Sequence, residues 1–272
     1  MIIDLETLIQ HCISGFENKG VEWGTPLTTL LSAEDPRLPE LKKMVSGNHL
    51  LPKELLSDAK SIIVYYIPFA EGIIKSNLKG KTASEEWAMA YITTNDLIAV
   101  INDEIENHLN RSGFHVAKIK ATHNFDTDTL MSRWSHRHIA WLAGLGSFGI
   151  NNMLITSQGC CGRFGSLLTN AEDAVFCYGG NTEKNASASS PLAEKCLNKI
   201  DGSCGACIKK CINGAFEEGG RFNRFTCYEA CLINAALYQS MGIADVCGKC
   251  LVGLPCSVKD PSIGIPVQNK TE

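Results

Sequence analysis

The chain has 272 residues, 44% hydrophobic and 20% charged, with a net charge of −4. That length allows one large domain, or a domain plus a small module, and the slightly acidic balance excludes a global basic field for nucleic acid. No apolar run approaches the roughly 20 residues of a membrane span; the N-terminus lacks the basic stretch of a secretory signal, so a soluble, cytoplasmic protein with no membrane partner is expected.

Residues 1–20 carry an amphipathic helical pattern, and "TPLTTLLSAEDPRLPELKKMVSG" after them reads as irregular. The run "SIIVYYIPF" (61–69) is continuous, β-branched and aromatic, the signature of a buried strand. Residues 84–112 read as a long helix stopped by Gly113, "FHVAKIKA" (114–121) alternates like a strand, and 129–143 reads as helical. Trp134 and Trp141, seven residues apart on that helix, read as core. "MLIT" and "RFGSLLT" follow as two short strands joined by "SQGCCG".

Gly144, Gly146 and Gly149 in "AGLGSFGINN" spell G-x-G-x-x-G, the spacing of a dinucleotide fingerprint. That chemistry needs a strand before the glycines and a helix after them, whose N-terminus receives the pyrophosphate. Here a helix precedes and strand-turn-strand follows. Glu172 and Asp173 sit where a ribose-binding acid is sought, but no βαβ unit connects them. The glycines are read instead as a tight helix-to-strand turn, or as backbone brought close to a bulky ligand.

From 178 to 191 the chain is Gly/Ser/Asn-rich, a linker or exposed loop. It divides an α/β (α+β) domain, residues 1–190, from a cysteine module, residues 191–272. Nine of the 13 cysteines lie from Cys196 onward. In a reducing compartment such a cluster is not a disulfide framework.

The spacings are Cys196-x7-Cys204-x2-Cys207-x3-Cys211, then Cys227 and Cys231, then Cys247-x2-Cys250-x5-Cys256. A C-x2-C turn brings two thiolates to one centre, and the x3 step sends the next cysteine to another, as in two-cluster ferredoxins. The arithmetic gives two [4Fe–4S] clusters. Cys196, Cys204, Cys207 and Cys256 hold one; Cys211, Cys227, Cys247 and Cys250 hold the other. Cys231 is spare, although it lies one helical turn from Cys227 and either could reach. Structural zinc could use the same eight residues, but the x3 step and the crossover favour iron–sulfur. The module contains a further helical pattern over 225–242, and the tail after 258 reads as irregular.

With these motifs in view, the chain resembles the epoxyqueuosine reductase family, which is related to reductive dehalogenases. The resemblance is carried by "DAKSIIVYYIPF", by "AGLGSFGINNMLIT" and by the cysteine module, and spans roughly residues 55–258. It implies a nitroreductase-like domain, a C-terminal two-cluster ferredoxin-like module and bound cobalamin. Electrons would pass from the clusters to the corrinoid, which reduces a small molecule or modified nucleoside while a side chain supplies a proton. It also implies corrinoid contacts from Gly144, Gly146, Ser147, Gly149 and Asn151, with Tyr91 and Asn95 on the long helix facing cofactor or substrate. A flavodoxin, a ferredoxin or a reductase would supply the electrons.

The chain departs from that family at the proton donor. Family members carry an Asp in a D-S-A-P-like segment before A-G-L-G, where this chain has "FDTDTLMSRWSHRHIA". His136 or His138 is the expected donor, since imidazole titrates near neutral pH; Asp126 and Asp128 come next. Arg133, Arg137 and Arg163 could hold corrinoid amides or an anionic substrate. The accessory C-terminal region of tRNA-acting members is absent from this sequence, so tRNA is a possible but not a favoured partner. The competing expectations are a ferredoxin-type electron carrier without its own substrate and a zinc-stabilised binding module.

Overall fold

The computed structural model describes residues 2–178, 193–217 and 221–264. Its centre is a four-stranded sheet in the order Leu27–Ser32, Ser61–Pro68, Gly162–Thr169, Val116–Lys118, antiparallel at every pairing. All eight residues of Ser61–Pro68 are buried because both faces of the sheet are covered. Ile62, Val64 and Tyr66 point into a core closed by Trp134, Ile139 and Leu142. Ile63, Tyr65 and Ile67 point into the opposite core, against Leu97, Ile101 and Ile105 of the long helix Glu85–Arg111 and Leu5 and Ile9 of the helix Leu5–Gly15. Each large aliphatic or aromatic side chain buried there contributes roughly 1.5–3 kcal/mol. The long helix begins where Ser84 accepts a hydrogen bond from the Trp87 N–H, an N-cap of the expected kind.

Two elements differ from expectation. The stretch read as irregular contains the edge strand Leu27–Ser32, paired with Ser61–Tyr66. Its alternation is hidden because Thr28 and Thr29 are buried along with Leu27 and Leu31. The helix expected over 129–143 is confined to His136–Leu142. Asp126 accepts hydrogen bonds from the Asp128 and Thr129 N–H groups, an Asx turn that competes with helix. Leu130 then takes a φ of +53°, and Met131–Ser132 pairs back onto Phe125–Asp126. The glycine segment has no βαβ unit: Gly146–Phe148 and Leu154–Thr156 form a hairpin after the helix. A Cβ on Gly146 would lie within van der Waals overlap of the Ile155 carbonyl, so close strand pairing requires glycine there.

The cysteine segment packs on the rest through polar and apolar contacts. Lys249, only 4% exposed, donates to the Asn77 and Lys79 carbonyls at 2.9 and 2.6 Å. Asn77 donates to the Cys247 carbonyl at 3.0 Å, and the Cys160 N–H to the Cys256 carbonyl at 3.0 Å. Gly248, at φ +71°, lets this backbone lie flat on the Trp87 indole; a Cβ there would overlap the ring. The helix expected over 225–242 runs from Arg224 to Leu237. The 178–191 linker and the 190/191 boundary lie outside the described residues, apart from Tyr178. Among the described residues, no helix is long and apolar enough to cross a membrane.

Candidate functional site

Two hollows gather the module's cysteines. Cys196, Cys204, Cys207 and Cys256 surround the first, of about 350 Å³ including its open mouth. Its remaining lining is small, apolar or amide, without a charged side chain. Cys196 caps the helix Leu197–Asp201, Cys207 rides on the helix Ala206–Lys210, and Cys256 arrives from the C-terminal turns. Burial, reinforced by neighbouring Cys196 and Cys256, pushes the Cys207 thiol up to about 11. Thiolates collected in such a place need a cation to stabilise them.

Cys211, Cys227, Cys231, Cys247 and Cys250 form one wall of a much larger hollow, about 1510 Å³ including its opening. Cys227 and Cys231 share a hydrogen bond on one face of Arg224–Leu237. That bond lowers the Cys227 pKa, and the Arg137 charge lowers it further. Cys231 is driven the other way, by the same bond and by burial, with the Asp245 charge adding to the rise. Of the two, Cys227 is the thiol beside the Arg137 charge. Among the described residues, no three His, Cys, Asp or Glu side chains converge closely enough to share a single metal ion; both thiol sets stand around hollows.

Polar side chains line the large hollow as well. Tyr91 projects from the long helix, and its hydroxyl donates to Asp245 Oδ1 at 2.7 Å and lies 2.9 Å from Thr122 Oγ1. Asp245 Oδ2 lies 3.1 Å from Nε2 of the exposed His123. Arg163 stacks over the Tyr91 ring, 4.3 Å from its centroid, and donates to Asn95 Oδ1 at 2.7 Å. Burial pushes the Tyr91 phenol above its ordinary range, more than the nearby Arg163 charge lowers it, so it stands protonated.

The four expected proton donors lie elsewhere. His136 is buried, with Nδ1 at 2.7 Å from Ser166 Oγ and Nε2 at 2.9 Å from the Lys120 carbonyl. A carbonyl only accepts, so Nε2 carries the proton and Nδ1 accepts from Ser166. Burial pushes this imidazole down to about 4. It borders a second chamber of about 870 Å³ that adjoins the large hollow. His138 bonds Ser135 Oγ at 2.8 Å, lies against Phe148 and lines neither chamber; burial lowers it, too, to about 4. Asp126 and Asp128 are exposed in the Asx turn.

The expected corrinoid contacts divide. Tyr91 lines the large hollow, and Asn95 stands behind it as the acceptor for Arg163. Gly149 and Asn151 line the smaller, four-cysteine hollow instead, and Asn151 donates to the Cys250 carbonyl at 3.0 Å. Ser147 donates to Glu194 and accepts from the Lys195 N–H. Gly144 and Gly146 line neither. The glycine segment therefore docks the cysteine module, while Asn152 and Met153 beyond it reach the large hollow. Sequence reasoning misses Asp245 and His123. Asp245 lies two residues before Cys247, a weak signal; His123 gives none.

No protein-family model matches the chain, and no curated protein matches it in sequence. Solved structures do match in fold. The epoxyqueuosine reductase of Streptococcus thermophilus aligns with a TM-score of 0.54 at 15% identity, over 97% of this chain and 70% of its own. An epoxyqueuosine reductase crystallised with a modified tRNA-Tyr stem loop aligns at 0.53 and 19% identity, over 95% and 69%. That of Bacillus subtilis aligns at 0.52 and 17%, over 94% and 69%. The mixed α+β fold with its cysteine module is thus that of the epoxyqueuosine reductase structures.

Proposed function

We propose that this chain is an iron–sulfur oxidoreductase that carries two [4Fe–4S] clusters and a corrinoid and reduces a small molecule or a modified nucleoside. One observation carries the reading: a single large hollow is lined both by cysteines of the module and by a Tyr91 hydroxyl hydrogen-bonded to Asp245, two residues before Cys247. Thiols suited to a cluster and a protonated phenol thus line the same hollow.

The donor sets fit the groups. Soft thiolates select iron–sulfur clusters, and Cys196, Cys204, Cys207 and Cys256 would hold one. Cys211, Cys227, Cys247 and Cys250 would hold the other, beside the large hollow. A corrinoid there would rest near Tyr91, Thr122, Asn152 and Met153. When bound, it supplies a low-valent metal as the reductant.

The protein's own contribution is proton placement. Tyr91 Oη holds a proton in the hollow, Asp245 orients it, and His123 connects Asp245 to solvent. This path replaces the histidines of the helix His136–Leu142 in the donor role, since His136 has both nitrogens engaged and His138 lines no chamber. The electron donor would be a flavodoxin, a ferredoxin or a reductase. A nucleoside within tRNA is a second substrate class, supported by the fold neighbour that was crystallised with a stem loop.

The test is an electron paramagnetic resonance titration of cob(II)alamin into anaerobically reconstituted protein holding about eight iron atoms. A saturable change in the cobalt signal at one equivalent supports the reading. An unaltered free signal beside reducible clusters would replace it with an electron carrier that has no corrinoid.

A further inference from the structure

Arg137 and Arg163 stand where the large hollow and the second chamber adjoin, each lining both. Arg137 Nη1 donates to the Asn152 carbonyl at 2.5 Å and contacts the Met153 sulfur at 3.3 Å. Arg163 is fixed by the Asn95 amide oxygen and the Tyr91 ring. None of these partners carries a negative charge, and a guanidinium has five N–H donors, most of them still unused. Asp245 is the one carboxylate among the described residues of either lining, and its oxygens are engaged by Tyr91 and His123. Two neighbouring cations without an anion repel each other and lose solvation. Cys227 faces Arg137, so a cluster thiolate can balance that residue in part. Among the described residues Arg163 takes part in no ion pair, and Asp245, which shares Tyr91 with it, is already engaged by Tyr91 and His123.

We propose that Arg163, assisted by Arg137, binds the anionic group of the substrate, a carboxylate or phosphate, and sets its organic body beside Tyr91 Oη. The planar guanidinium fork matches both anions in bidentate geometry, and Phe125, which lines both chambers, offers an apolar surface for the rest. This rests on reading the large hollow as the reaction chamber. The substrate is then a small organic acid or phosphate ester, its acid group held by arginine while the reducible bond lies toward the cofactor.

The probes are benzoate and phenyl phosphate, titrated by calorimetry into the iron–sulfur-reconstituted chain at fixed ionic strength. Saturable binding of either is expected, and which one binds separates carboxylate from phosphate. Arg163→Gln and Arg137→Gln should each weaken it about tenfold or more at unchanged iron content. Arg111→Gln, exposed at the end of the long helix, should not. Failure of both probes to bind the unmodified chain overturns the proposal, as does binding that survives both substitutions. The same titration at saturating cobalamin and at saturating cobinamide, which lacks the phosphodiester, tests the other anion source. Competition by cobalamin alone assigns the arginines to the cofactor's own phosphate and also overturns it. The cobalt signal is read separately: anion binding without corrinoid binding retains the anion site and removes the corrinoid reading.

Discussion

The phenol of Tyr91 donates to Asp245 across 2.7 Å, joining residues 154 positions apart in sequence. Tyr91 belongs to the long helix packed on the sheet, and Asp245 precedes the Cys247–Cys250 turn. This bond ties the proton-bearing phenol to the segment that carries the thiols. Moving either element would separate the two.

Removing the Tyr91 hydroxyl should therefore affect chemistry rather than assembly. Tyr91→Phe is expected to keep its iron content and corrinoid titration while turnover of a reducible substrate falls about 100-fold, within the range of a lost general acid. Asp245→Asn should lower turnover less, because the phenol remains. Equal turnover in Tyr91→Phe and the unmodified chain would remove Tyr91 from the donor role.

The two thiols on Arg224–Leu237 should separate by iron analysis. Cys227→Ala is expected to fall from about eight to about four iron atoms per chain, and Cys231→Ala to keep about eight. Cys207→Ala should lose the other cluster, leaving the remaining signal intact. The reverse result for Cys227 and Cys231 would exchange their roles.

Gly248→Ala tests how the module is docked. Gly248 sits at φ +71° and its added Cβ would overlap the Trp87 indole. Left-handed backbone and overpacking together should destabilise by about 2–5 kcal/mol. Gly202→Ala, at φ +77° but with open space around it, should cost only about 1–2 kcal/mol. Urea midpoints compare the two directly.

His136 gives a pH dependence of fixed sign. Its native pKa, pushed down to about 4 from 6.5, means that the unfolded chain binds the proton more readily. Stability is then fully present above the unfolded value and falls as pH drops from about 6.5 toward about 4. The full effect is about 3 kcal/mol. Unfolding midpoints at pH about 7.5 and about 5.5 should differ in the unmodified chain and differ less in His136→Gln.

Local signals are legible where a residue's role depends on its near neighbours. "SIIVYYIPF" announces a strand covered on both faces, because its composition alone requires it to be dry. The Ser84 cap and Gly113 bound the long helix. Leu27–Ser32 escapes because an edge strand with two buried threonines shows no clean alternation. Periodicity overextends the 129–143 helix because the Asp126 side chain captures backbone N–H groups that a count of apolar positions ignores.

The sequence by itself determined which cysteines have partners close in the chain, since ligand spacing is a property of short turns. It also argued against a dinucleotide site at the glycine segment, because the element before it reads as helical. Only the tertiary structure decided what faces the large hollow. His123 and Asp245 meet from 122 positions apart, and Arg163 of the strand Gly162–Thr169 stacks on Tyr91 of the long helix. Such contacts arise from packing of distant elements, which leaves no period or spacing in the sequence. For the same reason "WSHRH" reads as the proton source in the sequence, while only the fold shows His136 hydrogen-bonded at both nitrogens, to Ser166 and the Lys120 carbonyl.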